Sequence, residues 1–404
     1  MPRLTHDKIT QLTYAQLGLW GFFLYGFGPV VPLLRDEQGT SAAVAGLHST
    51  GIAVGALLGG AIFAPVARRL GRGPTIWLGL AGVAAGVTAL GLLHPLAATI
   101  ASVAVIATFG MMVISGVSVV LTARHGDAAP AALTEANAAC AGMGILAPLV
   151  IGVTVDAGLG WRPVMAVEVG LIALVALAAL TFRVRLPHAA PAAAAADRPV
   201  GVTAADRLPR AYWIAWVLMA VTGSIEVCLS LWTADVLRSH AGLSAGSASA
   251  AIAAIVCGMF VGRLAGGRFA LRWPPVPLLL AALTVSLAGF ALFWIAPMGW
   301  LAVTGLVVLG LGNALHYPLA ISIALAVAGP AADKAAGWAS YSMGVGFGIA
   351  PVALGWVADG VGPHLAFLLL PAFIAAAALL TVRLGRALRA ARPTDDQAPV
   401  PIPA

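Results

Sequence analysis

The sequence predicts an all-α membrane protein with twelve transmembrane helices in two pseudo-symmetric six-helix bundles. Three observations carry that expectation. Of 404 residues, 61% are hydrophobic and only 9% charged, with a mean hydropathy of +0.98, whereas soluble domains carry about 25% charged residues. Apolar runs long enough to span a bilayer, about 20 residues each, recur twelve times along the chain. A set of residues also repeats 203 positions later: Ala147, Pro148, Gly152 and Asp156 return as Ala350, Pro351, Gly355 and Asp359, and Gly55, Gly59, Arg69 and Pro74 as Gly258, Gly262, Arg272 and Pro277.

In order, the spans are expected near 12–34, 43–67, 74–93, 97–122, 131–155 and 162–182, which place the first bundle in residues 1–182. Residues 183–210 form the only long break in hydrophobicity, an Ala/Pro stretch with five arginines, and read as a linker. The second bundle, 211–385, holds spans near 211–236, 246–271, 275–296, 299–328, 335–358 and 363–383. The polar tail 386–404 has the composition of a disordered segment. Basic residues set the orientation: only Arg35, Arg162 and Arg238 fall opposite the side holding both termini, so both termini are expected in the cytoplasm. The excess of Arg over Lys suggests a GC-rich bacterial genome, and hence a multi-pass protein of a bacterial inner membrane.

Several classes are disfavoured. The net charge of +7 is spread over helix ends rather than clustered as phosphate binding requires, so no nucleic-acid partner is expected. There is no phosphate-binding loop, and Lys8 and Lys334 follow no glycine-rich segment. The histidines show no metal-ligand spacing, and no nucleophile–base pair can be assembled. No catalytic residue, metal or cofactor is therefore expected. Cys140, Cys228 and Cys257 sit singly within apolar runs and read as small core residues. The N-terminus lacks a short apolar run with a small-residue cleavage site, so no cleaved signal peptide is expected.

The polar residues at membrane depth are few. Glu226 stands near the middle of the seventh span, where acids are costly and usually functional. Thr222, Ser230 and Thr233 share its helical face, and its counterpart in the first half is Phe23. Asn313, His316 and Tyr317 share a face of the tenth span. His316 is a candidate proton relay beside Glu226, since imidazole titrates near neutrality, although a structural hydrogen bond between helices suits it equally well. Candidate solute-binding residues are Gln16, Trp20, Thr108, Ser115, Thr222, Ser230, Asn313, Tyr317 and Tyr341. Glu168 reads as structural or snorkelling, and Trp232 as an interfacial anchor. Asp156, Asp235 and Asp359 read as ordinary helix-end residues. Arg263 has two open readings, an inner ion pair or exposure to cytoplasmic water. Without a strongly basic cavity residue, a neutral or cationic solute is favoured.

Over nearly its full length the chain resembles the major facilitator superfamily. Gly160-Trp161-Arg162 resembles that family's common opening of the sixth helix, and Gly142-x-Gly144-x-x-x-Pro148-x-x-x-Gly152 its fifth-helix motif, often associated with antiporters. The loop Ala64–Gly73 is similar to the family's basic second-to-third-helix loop, with Arg68 where an Asp is usual; the fourth helix lacks the frequent Arg. The resemblance implies that the first, fourth, seventh and tenth helices line a cavity. It also implies that the chain is a secondary transporter moving a small organic solute by alternating access, with protons coupled through Glu226. Gating is expected at Gly144, Pro148, Gly152, Gly348, Pro351, Gly355, Arg69 and Arg263. The implied partners are the solute, protons and the lipid bilayer, with the monomer as the working unit. A gradient-independent facilitator and a non-transporting membrane receptor remain open alternatives.

Overall fold

A computed structural model describes residues 5–186, 208–270, 272–296, 298–328 and 332–390. Residues 187–207 of the expected linker and the tail beyond Ala390 lie outside the described residues. In the first half the helices are α1 (Lys8–Gln38), α2 (Ala42–Leu70), α3 (Arg72–Leu92), α4 (Leu96–His125), α5 (Ala129–Asp156) and α6 (Arg162–Thr181). The second half has α7 (Arg210–His240), α8 (Ala245–Ala270), α9 (Pro275–Ile295), α10 (Gly299–Asn313), α11 (His316–Ala328), α12 (Ala332–Val361), α13 (Pro363–Ala366) and α14 (Leu369–Ala390). Among the described residues twelve segments are long and apolar enough to cross a membrane, and none is a strand. The chain starts and ends on one face, here the terminal face; the opposite one is the far face.

Each expected span is present, and two are interrupted. The tenth is α10 followed by α11, and the twelfth is α13 followed by α14. The tenth breaks after Asn313 because Pro318, in the first turn of α11, has no N–H to offer the carbonyl of Ala314. The pattern Gly312-Asn313 with a proline five residues on is a helix stop followed by a restart.

The repeat seen in the sequence is a repeat of contacts. Gly55 and Gly59 lie against the carbonyls of Ala104 and Thr108 on α4, leaving no room for a Cβ. Their counterparts Gly258 and Gly262 lie the same way against Val307 and Leu311 on α10. Both partner carbonyls are displaced by the same 203 residues, so each glycine match preserves a close helix approach.

The halves meet along three seams, α2 with α12, α5 with α8 and α1 with α7. Within the first half, Gly160-Trp161-Arg162 fastens α6 to its neighbours. Trp161 Nε1 donates to Glu37 at 3.2 Å, and Arg162 donates to Glu37 at 2.5 Å and to the carbonyls of Leu90 and Gly91 at the end of α3.

Two expectations need correction here. Trp232 is 1% exposed and donates through Nε1 to the Pro351 carbonyl at 3.2 Å, so it is buried between α7 and α12 within the second half and is not an interfacial anchor. Glu168 is fully buried on α6, which packs against α3 and α1, and neither carboxyl oxygen has a partner among the described residues. It does not snorkel.

Candidate functional site

A cavity of about 680 Å³ lies between the halves. Its walls come from the terminal-side and middle parts of the helices: Trp20 and Tyr25 on α1, Ser118 on α4, Asn137 and Cys140 on α5, Phe260 and Arg263 on α8, Met343 and Phe347 on α12. Glu226 contributes from mid-α7, about 24 Å along the helix at 1.5 Å per residue. The interruption of the tenth span opens onto the same space, placing Asn313, Ala314, Leu315 and Tyr317 on the wall. Asn313 ends α10; its Nδ2 has the Met259 sulfur at 3.8 Å and its Oδ1 has no partner among the described residues.

Among the described residues, Glu226 and Arg263 are the charged residues of this wall. An Arg263 Nη stands 3.9 Å from Glu226 Oε1, and Arg263 Nη1 donates to the Tyr25 hydroxyl at 3.3 Å. Tyr25 can take that position because Gly144 has no side chain; a Cβ there would run into the phenol ring. One small cluster thus joins α1 and α5 of the first half to α7 and α8 of the second. Arg263 stands near Glu226 at 3.9 Å while its side chain stays 30% exposed.

Toward the far face the cavity is shut by polar contacts across the seams. Arg35 grips Asp235 with two bonds, 2.5 and 2.9 Å, and Arg238 pairs with Asp36 at 2.7 Å. Asp359 accepts from the N–H groups of Ala42 and Ala43, at 2.7 and 3.0 Å. Asp156 accepts from the hydroxyl of Ser244 at 2.8 Å. The three aspartates expected to be ordinary helix-end residues are therefore closure contacts between halves. A signal was present: Ser41 and Ser244, which cap α2 and α8, obey the same 203-residue offset as Asp156 and Asp359.

Of the candidate binding residues, Trp20, Asn313 and Tyr317 line the cavity; the others do not. Gln16 is buried with its amide unpartnered among the described residues. Thr108 and Thr222 donate to carbonyls of their own helices, Ala104 at 2.8 Å and Met219 at 3.0 Å, the usual recourse of a hydroxyl in apolar surroundings. Ser115 is half-buried off the wall, and Ser230 abuts Gly28 where α1 crosses α7. Tyr341 is exposed beside Trp338. His316 turns from Glu226 into the seam with α9, within 3.1 Å of the Ser286 hydroxyl, and is 1% exposed.

The candidate gating residues divide by place. Gly152 faces Gly246 and Ala250 on the α5–α8 seam, and Gly355 faces the Ala42 carbonyl on the α2–α12 seam. The Gly348 carbonyl accepts from Thr50 at 2.6 Å on that same seam. Pro148 and Pro351 are buried inside helices that continue past them. Arg69 is exposed at the terminal-face end of α2.

The sequence matches the family profile described as Major Facilitator Superfamily over residues 17–332. No curated protein matches it by sequence. Among solved structures, a mutant of the nucleoside transporter NupG superposes with a TM-score of 0.77 at 15% identity, covering 93% of this chain and 98% of its own. A bacterial homologue of the human lysosomal transporter Spinster, inward-facing and occupied, gives 0.74 at 15% identity, with 96% and 98% covered. The transporter FucP in its outward conformation gives 0.60 at 17% identity, with 93% and 98% covered.

Proposed function

Because this chain belongs to the major facilitator superfamily, we propose that it is a proton-coupled secondary transporter of a small organic solute, working by alternating access. The observation that carries the reading is Glu226, the one carboxylate among the described residues that faces a cavity shut toward the far face. The basic-residue distribution supports a cytoplasmic terminal face, which makes this an inward-open state, in a membrane that the composition suggests is a bacterial inner one. The proton links to transport because Glu226 can be neutral when the cavity is occluded and release its proton when it meets higher-pH water. A single chain supplies every wall of the cavity, which suits a monomeric unit.

A thermal-shift screen of purified protein against a metabolite panel supplies a solute for flux assays. In proteoliposomes with an imposed pH step, wild type accumulates that solute, and Glu226→Gln does not. Undiminished accumulation by the variant removes Glu226 from coupling. Equilibration without accumulation by wild type makes the protein a facilitator.

A further inference from the structure

The charges on the cavity wall constrain the solute further. Besides Glu226 and Arg263, the titratable groups described on that wall are Tyr25 from α1, Cys140 from α5 and Tyr317 from α11. Phenols and thiols are ordinarily neutral at pH 7. A guanidinium keeps its proton in proteins, whereas a carboxyl group can gain or lose one. Among the described residues, the wall is neutral overall with Glu226 ionised and carries one positive charge with Glu226 protonated. No ordinary protonation state of these described groups makes it negative.

That asymmetry selects the solute's charge. When Glu226 takes a proton, Arg263 loses its counter-charge in a cavity walled largely by groups such as Trp20, Leu24, Phe260, Met343 and Phe347. A charge left unpaired in such surroundings is costly. A cationic solute adds to the cost and a neutral one leaves it standing, whereas an anionic group removes it. The geometry permits the exchange. The approach of Arg263 to Glu226, 3.9 Å, is longer than the 2.7–2.9 Å typical of a closed charge-assisted bond. Tyr25, reaching from the other half, holds Arg263 Nη1 at 3.3 Å independently of Glu226.

We propose that the transported solute is an organic monoanion, a carboxylate or comparable group on an apolar body, which replaces Glu226 as the partner of Arg263 when Glu226 is protonated. The inference rests on the proton-coupled reading above and replaces the neutral or cationic solute expected from the sequence. One proton moves from water to the Glu226 carboxylate while one anion enters beside Arg263, so net charge in the cavity does not change. The empty cavity and the doubly loaded cavity are both neutral and can occlude. A cavity holding the proton alone, or the anion alone, carries an unpaired charge and is held open. Proton and anion therefore cross together. The cavity, about 680 Å³, falls within the range of about 300–1,000 Å³ usual for small-molecule sites.

The test uses matched compounds and the purified full-length protein: indole-3-acetate, indole-3-acetamide and tryptamine, then 4-phenylbutyrate with its amide and amine. Binding is read by thermal shift and tryptophan fluorescence at about pH 6 and about pH 7.5, and proton uptake by a pH dye in weak buffer. At least one carboxylate is expected to bind about tenfold or more tighter than its amide and amine, a difference of about 1.4 kcal/mol. Its affinity should rise as pH falls, with close to one proton taken up per anion bound. Arg263→Gln should abolish the carboxylate preference, while Arg263→Lys, which keeps the charge, should retain part of it and serves as the folding control. Glu226→Gln should still bind the carboxylate, without pH dependence. Binding of neither carboxylate, tighter binding of the amide or amine, or a carboxylate preference that survives Arg263→Gln overturns the monoanion. If an amine wins while solute-linked proton uptake persists and depends on Glu226, the monoanion falls and proton coupling stands. A carboxylate that binds without taking up a proton overturns the exchange at Arg263 together with the coupling.

Discussion

Asp156 and Asp359 are 203 residues apart and hold equivalent places on two different seams. Asp359, near the end of α12, accepts two backbone N–H bonds from the first turn of α2; Asp156, at the end of α5, accepts from Ser244 at the start of α8. In each case a carboxylate from one half meets the positive end of a helix in the other, where backbone N–H groups lack internal partners. Two like latches thus hold the far face shut.

Removing either latch favours opening toward the far face. An exposed carboxylate at a helix N-terminus contributes about 0.3–1 kcal/mol, so Asp156→Ala or Asp359→Ala should shift the balance about two- to fivefold, and the pair together more. Distances between spin labels on the far-face ends of α2 and α12, and of α5 and α8, report the shift. Unchanged distance distributions in the double variant would dismiss the latch.

Arg35 and Asp235 form a more buried closure, with Asp235 only 5% exposed at its side chain. Losing one member of a buried pair commonly costs about 3–5 kcal/mol, because the other charge is left unpaired. Arg35→Gln alone should therefore lower thermal stability in detergent more than the double variant Arg35→Gln/Asp235→Asn. A double variant that is simply the sum of its singles would mean the pair is not coupled.

The glycines facing helix carbonyls should not tolerate side chains. Gly55→Val and Gly258→Val force α2 from α4 and α8 from α10, at a cost of about 1–3 kcal/mol each. Gly142→Ala, where a Cβ meets open space, is the neutral comparison. Melting temperatures of the purified variants decide; equal values for Gly142→Ala and Gly258→Val would refute the close approach.

His316 separates a structural histidine from a coupling one. Its hydrogen-bond distance to Ser286 within the α9 seam predicts that His316→Gln lowers stability by about 1 kcal/mol and leaves the pH dependence of solute binding intact. A variant that binds solute with its pH response erased would return His316 to the coupling pathway.

Much of the fold was legible because its signals are local or periodic. Spans announce themselves by length and hydropathy, and glycines such as Gly55 and Gly258 repeat because the carbonyls they face repeat. Glu226 was legible as an anomaly, an acid amid apolar residues. Its relation to Arg263 was not, because helical spacing fixes a face and leaves the facing neighbour open. The hydroxyls sharing its face were misleading for a related reason: Thr222 and Thr233 satisfy themselves on their own helix. The aspartate latches were half legible, since the offset paired Asp156 with Asp359, but their partners come from the opposite half and no spacing along one helix points to them.

Helix α8 has Arg263 at its cavity end and is preceded by Ser244, about 28 Å away at 1.5 Å per residue. Gly258 and Gly262 clamp its middle to the tenth span. On the alternating-access reading, the helix so held would act as a lever, with its short arm at Arg263, next to Gly262, and its long arm reaching to Ser244. A tilt of a few degrees on a change of partner at Arg263 would then move Ser244 by on the order of an ångström relative to Asp156, enough to strain a short hydrogen bond. Occupancy on one side of the membrane can thereby be felt at the lock on the other.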